Sequence, residues 1–349
     1  MQISLESSNA LESTFDILKK AGVTDDVAFH TSKGLWTSSM KGVDSHGLRL
    51  LPHYIQSCIS GRITKSPNYI FNDSNSSTSS LDADHTFGHA AGVKAMNKAI
   101  ELAKNSGIGA VSVFNSSHCG ALSFFSEIAC EKNMIGLAFT HATPKVQAHN
   151  SREVFLGTNP ICFAAPMKSE GPFCYDSAST SFTFNKIRQF RDLNKTLPEG
   201  IATSQTGELT TDPHLAMQLL PIGGHKGFGL AMIVDILCGL LSSMPVGNDV
   251  SEMFGNNLGS KRFLGQFYMA IDIRNFVDPE IFKERLQDTA RKIRKLTPMN
   301  GETEVMIPGD PEKKSWQKRN KEGIPLPNKI YDELNELSKK LKSKTFSTA

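Results

Sequence analysis

Apolar residues at the start of the chain recur at the spacing of amphipathic helices. Leu11, Phe15 and Leu18 lie three or four positions apart, and the pattern stops at Gly22, a residue type that commonly ends helices. A second helix is predicted from about residue 24 to residue 40, because acidic residues near its start stabilise a helix N-terminus. The chain therefore opens with helices rather than strands.

The pattern changes after residue 68, where short apolar runs typical of strands begin. Strands are predicted at 69–71, 110–114 and 135–140, and the stretch 88–106 carries the apolar stripe of a helix. The Ser/Asn-rich stretch 72–80 is predicted to be a solvated turn or hairpin loop.

The second half of the chain returns to longer, helix-like patterns. An apolar run at 161–166 and a strand from residue 173 come first, followed by a buried strand at 266–272. Helices are predicted at 230–241, 280–295, 312–322 and 328–344, with a turn at 308–311. Helices at both ends therefore flank a strand-rich middle.

Composition and charge narrow the class of protein. The chain has 349 residues, long enough for two domains, and a formal net charge of +3 gives no electrostatic basis for nucleic acid as the main partner. The six cysteines form no CxxC pair and no zinc-like grouping, which predicts reduced thiols and no metal site. No signal peptide is visible, and the longest apolar run, 228–241, is too short to cross a bilayer. These features predict a soluble cytoplasmic protein.

The stretch 42–49 places chemically active side chains beside a predicted helix start. It contains Ser45, His46 and Arg49, and Pro52 favours a helix that begins just after it. The imidazole can pass a proton, and the guanidinium can hold a carboxylate through two parallel bonds. The alternative is a capping turn in which Asp44 pairs with the arginine. The motif alone leaves both interpretations open.

Polar residues also follow several predicted strands, where a rigid support can present them to a ligand. His118 and His141 each follow a strand, Thr158 and Asn159 lie between two apolar runs, and Asp176 ends another strand. For each position the alternative is structural, namely a core histidine bonded to the backbone, a tight turn or an Asx turn.

The glycine-rich loop 221–229 contains His225 and Lys226 and precedes an apolar helix. Glycines allow a ligand to approach the backbone, a helix start attracts anions, and lysine adds a charge, which together favour a phosphate site. The alternative is a flexible loop before a buried helix. The chain contains neither G-x-G-x-x-G nor G-x-x-x-x-G-K-[ST], so a Rossmann fingerprint is absent.

Six motifs in a fixed order resemble one known family. They are GVDSHGLR, NSSHCGA, LGTNP, GGHKGFGLA, PGD and EGIPLP. From about Val43 to Pro327 their order and spacing resemble the malate/L-lactate dehydrogenase family of the non-Rossmann type, which includes L-sulfolactate and ureidoglycolate dehydrogenases, 2,3-diketogulonate reductase and piperideine-2-carboxylate reductase.

The resemblance implies an NAD(P)-dependent oxidoreductase that forms a homodimer. It implies an α+β fold in which a helical domain is built from both chain ends, residues 1–68 and 286–349. The central domain, residues 69–285, would carry a mostly antiparallel sheet and bind NAD or NADP without a Rossmann fold.

The same resemblance implies roles for the polar residues. His46 matches a histidine proposed as proton donor in some members, and His118 matches one proposed as proton acceptor in others. Arg49 matches the residue that clamps the substrate carboxylate. Supporting polar groups are implied at Ser45, Thr158 and Asn159. Cofactor-binding residues are implied at His141, Asp176, Ser177, Ala178, His225, Lys226, Gly309 and Asp310.

Three departures from the family pattern lie in the cofactor half. Residues 183–186 read TFNK where members commonly have Ala-x-Gly-Lys, Asp310 stands where glutamate is usual, and Ser177 replaces a common methionine. The choice between NAD and NADP is therefore open.

The implied reaction is hydride transfer between nicotinamide C4 and C2 of a small 2-hydroxy or 2-oxo acid of the malate or lactate type, with His46 or His118 moving the proton. One alternative is a reductase of a cyclic imine or ketimine carboxylate. Another is a paralogue that binds the cofactor without turnover. A small carboxylate is the expected partner, with no nucleic acid and no membrane.

Overall fold

The computed structural model describes residues 2–255 and 257–349, with helices toward both ends and strands mainly in the middle. The expected all-helical opening was wrong at its start, because a short strand, Gln2–Leu5, precedes the first helix and pairs with a strand near the other end of the chain. The α-helices are α1 (Ser7–Lys20), α2 (Asp25–Met40), α3 (Leu51–Ile59), α4 (Gly88–Ser106), α5 (Ser123–Cys130), α6 (Phe184–Asp192), α7 (His225–Asp235), α8 (Pro279–Arg294), α9 (Asp310–Glu322) and α10 (Asn328–Leu341). Two 3-10 turns, Asp44–His46 and Leu48–Leu50, precede α3, and a π-helical turn, Ile236–Leu240, continues α7.

The strands form three sheets. They are β1 (Gln2–Leu5), β2 (Ile70–Asp73), β3 (Thr78–Asp82), β4 (Ile108–Ser116), β5 (Met134–Thr140), β6 (Val146–Gln147), β7 (Val154–Leu156), β8 (Ile161–Ala165), β9 (Phe173–Ser177), β10 (Ala202–Thr203), β11 (Leu209–Thr210), β12 (Gln218–Leu219), β13 (Leu264–Asp272) and β14 (Ile324–Pro327). The large sheet has the order β2-β3-β4-β13-β5-β8-β9, the small sheet has the order β11-β10-β12-β6-β7, and β1 pairs with β14. In the described part of the large sheet only β3 and β4 run parallel, so that sheet is mostly antiparallel.

The two ends of the chain share one hydrophobic core. Strand β1 pairs with β14 in the register Gln2 opposite Pro327, which brings the first helices beside the last one. Ile17, Leu35, Tyr54 and Leu334 are buried together in this core. Burial of apolar surface from both ends therefore builds the helical side of the protein.

The large sheet is covered on both faces. Helices α4 and α5 pack on one face around Met96, Phe125 and Tyr268, and α7 with the π-helical turn packs on the other around Phe267. Neighbouring residues of a strand point to opposite faces, so β13 is buried on both sides. This explains why its sequence does not alternate between apolar and polar residues.

The helices predicted from the hydrophobic pattern are confirmed, with small shifts of their ends. Helix α7 begins at His225, earlier than residue 230, because the glycine loop leads directly into it. The predicted turn at 308–311 is shorter, since α9 already begins at Asp310.

The predicted hairpin loop over 72–80 joins two antiparallel strands, but the prediction was wrong at both ends, because residues 72–73 belong to β2 and residues 78–80 belong to β3. Residues 78–82 form β3, which pairs in parallel with β4. Ser79 and Leu81 are buried while their neighbours are more exposed. A serine-rich composition therefore concealed the alternation of a half-buried strand.

Helix α8 runs across the predicted domain boundary at residues 285/286, and the division into two domains remains a prediction. None of the described helices combines the length and the apolar character that a bilayer span requires.

Candidate active site

A cleft of about 1140 Å³ separates the helical side of the protein from the large sheet. Lys41 on α2 and Trp316 on α9 line one wall, and Phe124 on α5 and Asp176 on β9 line the other. Several of the residues singled out in the sequence meet there although they are far apart along the chain. They are Ser45, His46, Thr158, Asp176, Ala178, Gly309 and Asp310.

His46 reaches the cleft from the first of the two 3-10 turns. This turn is tied to the helical core, since Leu48 N donates to Ser39 Oγ over 3.0 Å and Asp44 is ion-paired with Arg319. A Cβ at Gly47 would come within 2.1 Å of Ser39 Oγ, so glycine is required for this approach. Asp44 therefore pairs with Arg319 and not with Arg49, which was the pairing expected for a capping turn.

Arg49 is exposed and lies outside the set of cleft-lining residues, although it is only three positions from His46. Gly47 is extended between the two 3-10 turns, with φ −96° and ψ −152°, so the two residues do not share a continuous helical face. The structure therefore separates the imidazole from the guanidinium that the motif placed beside it.

His118 follows β4 and packs directly against His46. The two ring centroids are 5.6 Å apart and the rings are nearly parallel. Tyr54 Oη is 2.5 Å from His118 Nδ1, which fixes the ring from the side of α3. Ser45 Oγ is likewise 2.8 Å from His46 Nδ1. The two candidate proton carriers therefore form one pair, each with a hydroxyl at Nδ1.

Both imidazoles are neutral in the free protein near pH 7. Burial lowers the pKa of His46 to about 4. Burial, and then the nearby His46, lower the pKa of His118 well below its usual range. A neutral imidazole can accept a proton, and a bound anion would raise both pKa values again.

Arg262 is a buried cation that acts on His118 and that the sequence did not single out. Like His118 and Arg49, it is not among the described residues that line the cleft. It is 4% exposed, and its NH2 group donates to two neutral oxygens, Thr143 Oγ1 at 2.9 Å and Ser251 O at 2.6 Å. In the described part of the chain its Nε has no hydrogen-bond partner. Burial lowers its pKa to about 10, so it stays charged at neutral pH.

The charge of Arg262 acts on the residues of the site. It lowers the pKa values of His118 and His141, and it counteracts part of the rise that burial causes in the pKa of Tyr54. A buried cation without a carboxylate partner is costly unless a ligand supplies the anion. No local motif surrounds Arg262, so only the fold reveals this arrangement.

Asp176 presents a carboxylate to the cleft at the end of β9. Its Oδ2 accepts a bond of 2.7 Å from Ser123 N at the start of α5, and burial raises its pKa above the usual value. The ion pair of Lys41 Nζ with Glu127 Oε2, at 2.5 Å, lines the cleft as well. Ala178 lines the cleft, whereas the neighbouring Ser177 does not and bonds to Ala178 O.

Gly309 and Asp310 reach the cleft from the start of α9. Gly309 has φ +96°, and a Cβ there would come within 3.2 Å of Cys174 N. Asp310 is bonded twice by Arg294, at 2.8 and 2.6 Å, and Arg294 bonds twice to Glu170, both at 2.9 Å. This carboxylate therefore belongs to a charge network at the cleft wall.

Asn159 and His141 are buried behind the cleft rather than on its surface. Asn159 donates to Ala231 O and Asp235 Oδ1, both at 2.9 Å, and accepts from Ala142 N, so its amide ties the sheet to α7. His141 Nε2 accepts from Gly265 N over 2.9 Å, and burial lowers its pKa to about 4. Thr158 lines the cleft, and its carbonyl oxygen accepts from Ser179.

His225 and Lys226 begin α7 and are exposed, and neither lines the cleft. The loop before them is nevertheless joined to the strand segment that carries Ala178, since Ile222 N donates to Ser179 O over 2.9 Å. In the described residues no group of three His, Cys, Asp or Glu side chains is arranged to hold a metal ion.

Comparison with known proteins agrees with the resemblance seen in the sequence. The family described as malate/L-lactate dehydrogenase matches residues 5–335. A malate dehydrogenase of Pyrococcus abyssi is 34% identical over 335 residues, covering 93% of this chain and 91% of that protein. An L-sulfolactate dehydrogenase of Methanocaldococcus jannaschii is 32% identical over 339 residues, covering 97% of each chain.

The fold is shared as well. The crystal structure of malate dehydrogenase from Entamoeba histolytica superposes with a TM-score of 0.92 at 29% identity, covering 98% of this chain and 99% of that one. The family predicted from the motifs is thus confirmed, and the chain belongs to the malate/L-lactate dehydrogenase family.

Proposed function

We propose that this protein is a nicotinamide-dependent dehydrogenase that transfers a hydride between C2 of a small 2-hydroxy acid and the cofactor. The observation that carries the proposal is the pair of neutral imidazoles, His46 and His118, beside the buried Arg262. A proton acceptor and an anion anchor are the two groups that oxidation of a hydroxy acid needs from the protein. Relatives named malate and L-sulfolactate dehydrogenases support the reaction class.

The described residues fit a nicotinamide dinucleotide in the cleft. Asp176 offers a carboxylate that accepts hydrogen bonds from hydroxyl groups, and the absence of a side chain at Gly309 leaves the backbone accessible. A relative from Escherichia coli named ureidoglycolate dehydrogenase (NAD(+)) and the cleft volume of about 1140 Å³ support this assignment. When bound, the nicotinamide supplies the hydride acceptor or donor.

The dinucleotide would be held by the mostly antiparallel large sheet and α9, without a Rossmann fingerprint. Asp176 and Ala178 would contribute from the strand β9 region and Gly309 with Asp310 from the start of α9. Lys226, at the start of α7, would add a phosphate contact. Whether NAD or NADP is preferred follows from titrating both against the same protein.

Arg262 is the proposed anchor for the substrate carboxylate, in place of the exposed Arg49. Its Nε–H, which has no partner in the described part of the chain, can donate a charge-assisted hydrogen bond, and the substrate's negative charge would compensate a buried cation whose bonds to Thr143 and Ser251 go to neutral oxygens. An acid held by Arg262 would lie in the same region as His118, whose pKa the charge of Arg262 lowers.

The proton of the hydroxyl group passes to an imidazole as the hydride leaves C2. Burial keeps His46 and His118 unprotonated near pH 7, as a general base must be before the reaction. The bound anion would raise their pKa values toward the pH of the reaction, where proton transfer is most effective. In the reverse reaction the same imidazole, protonated beside the bound anion, returns the proton to the oxygen of the 2-oxo acid.

The proposed assembly is a homodimer in the cytoplasm. Large apolar side chains are exposed on α7 and the π-helical turn, a pattern that marks protein interfaces. They are Leu230, Met232, Ile233, Ile236, Leu240 and Leu241. The buried cysteines are free thiols, which fits a reducing compartment.

The test measures reduction of the cofactor by its absorbance. Malate, lactate, sulfolactate and ureidoglycolate are each assayed with NAD and with NADP. Reduced cofactor with at least one hydroxy acid is expected. Reduction of a cyclic imine carboxylate with no activity on any hydroxy or oxo acid would point to imine reduction instead. Cofactor binding without turnover on the whole panel would make the protein a silent paralogue.

A further inference from the structure

The 3-10 turn that carries His46 has little internal support. It is three residues long, Asp44–His46, and among the described residues no side chain caps its N-terminus. Its main-chain bonds, from His46 N to Val43 O and from Gly47 N to Asp44 O, are 3.0 and 3.3 Å long. Short 3-10 turns have poor hydrogen-bond geometry, so contacts from outside the turn must fix the position of His46.

Arg319 on α9 supplies such a contact. Its NH1 and NH2 groups donate to the two carboxylate oxygens of Asp44, at 2.5 and 2.9 Å, and NH1 also donates to Ser39 O. The side chain of Arg319 is only 13% exposed in this pair. A planar guanidinium that bonds to both oxygens fixes the direction of the carboxylate as well as its distance. The other side of the turn is tied to Ser39 Oγ by Leu48 N.

Helix α9 also packs closely against the end of α2, from which the turn leaves. Ser315 Oγ donates to Met40 O over 3.2 Å, and a Cβ at Gly42 would come within 2.7 Å of the same oxygen. Trp316 packs edge to face on Trp36, with ring centroids 5.2 Å apart. Because these contacts hold α9 in place, Arg319 reaches the turn from a fixed support.

We propose that Arg319 is a positioning residue that acts through Asp44 to hold His46 in the cleft, against the ring of His118. Neither Arg319 nor Asp44 is among the described residues that line the cleft, whereas Ser45 and His46 are. Ser45 lies between Asp44 and His46, and its hydroxyl is 2.8 Å from His46 Nδ1. An anchor at Asp44 therefore restrains the backbone that carries both the hydroxyl and the imidazole.

Without Arg319 the turn keeps its main-chain bonds and the bond of Leu48 N, but the Asp44 carboxylate loses the group that fixes it. His46 then spends less time in the position where its ring centroid lies 5.6 Å from that of His118. A displacement of about 1 Å in a catalytic group can cost on the order of 10²-fold in rate. The inference rests on the proposed function only for the effect on turnover, because the anchoring is measured without substrate.

The test of anchoring is hydrogen exchange of the His46 and Gly47 amide groups, followed by NMR without substrate. Both amides donate the main-chain bonds of the turn, so their exchange reports its local opening. In Arg319→Met both should exchange about tenfold faster than in the wild type, while amides of the central strand β13 keep their rates. Lys318→Met is the matched control, since Lys318 is 71% exposed and pairs only loosely with Glu322, at 3.8 Å.

Turnover gives a separate readout. In Arg319→Met, kcat for hydroxy acid oxidation should fall by about 10- to 100-fold. The KM for the acid and the affinity for the cofactor should stay unchanged, because the proposed anchor Arg262 and the cofactor-binding residues lie on other parts of the chain. Arg319→Lys, which keeps the charge but not the fork, should fall between the wild type and the methionine variant. Adding Asp44→Asn to Arg319→Met should cause no further loss, because the two residues act as one unit.

Wild-type exchange of the His46 and Gly47 amides in Arg319→Met overturns the inference, as does an equal acceleration of the β13 amides, which would show only a loss of global stability. If this variant does not fold, wild-type exchange in Asp44→Asn overturns it equally. An equal acceleration in Lys318→Met also overturns it. Faster exchange confined to the turn, with unchanged turnover, supports the anchoring and shows that His46 is not the proton carrier, so the inference and the proposed function fail separately.

Discussion

Replacing Arg262 separates the two candidate anchors for the substrate carboxylate. Arg262→Lys keeps a positive charge but removes Nε, the guanidinium nitrogen that has no partner in the described part of the chain. Loss of one hydrogen bond to a charged group costs about 1.5–3 kcal/mol, which corresponds to about a 10- to 150-fold rise in KM for the acid. The affinity for the cofactor should stay near that of the wild type, as measured by fluorescence titration.

Arg262→Met removes the charge as well and tests the electrostatic part of the argument. This variant should lose activity, because no cation remains to hold the substrate carboxylate. Its melting temperature should be maintained or raised, because a buried cation without an anionic partner destabilises the free protein. Loss of the bonds to Thr143 and Ser251 acts in the opposite direction and limits this gain. Arg49→Met is the matched control, since Arg49 is exposed whereas Arg262 is buried. A large rise in KM for Arg49→Met, with no rise for Arg262→Lys, would refute the reasoning.

Four further outcomes are expected. One of the variants His46→Ala and His118→Ala removes the proton carrier and should lower kcat by about 10²–10⁴-fold in steady-state assays, while the cofactor still binds. Near-wild-type turnover in both variants would exclude a histidine as the general base. Burial lowers the pKa of His46 to about 4 and of His89 to about 3, so only the unfolded chain gains these protons as the pH falls below 6.5. The free energy of unfolding should therefore decrease from pH 6.5 to pH 4 in urea titrations, and less steeply in His89→Leu. Lys226→Ala should weaken cofactor binding by about 1.5–3 kcal/mol, measured by calorimetry, and an unchanged affinity would leave the loop a structural role. Ile236→Glu should convert a dimer to a monomer in light scattering, whereas a monomeric wild type would contradict the proposed assembly.

The helices and the motifs could be recognised in the sequence because each depends on residues that are close together along the chain. The spacing of Leu11, Phe15 and Leu18 requires only a helix with one buried face, and α1 provides it. The approach of His46 to His118 depends on how β4 and the 3-10 turn meet, which no local pattern predicts. The family resemblance implied a proton-carrying role for each histidine but not their contact.

The roles of the two arginines could not be read from the sequence, because burial decides them. Arg49 stands in a suggestive motif, yet the extended Gly47 turns it to the surface. Arg262 stands in no motif, yet the fold buries it beside Tyr54 and His118. The burial of His89 could not be read from the sequence either, because the room for its ring is left by Gly34 and Gly120, which are distant from it in the chain.

The strand β3 shows a different limit. Its composition of serine and threonine is typical of a loop, and only the partner β4 stabilises it as a strand. Tertiary pairing therefore overrode local propensity at this position. The same limit applies to the strand β13, whose sequence lacks alternation because helices cover both faces of the sheet.

The most direct test of the account follows the hydrogen on C2. The protein is incubated with NAD or NADP and a hydroxy acid substrate that carries deuterium at C2, and the reduced cofactor is examined by mass spectrometry. Transfer of one deuterium to the nicotinamide is predicted, because the hydride leaves C2 while the proton leaves the hydroxyl group. Reduced cofactor without deuterium would contradict the account.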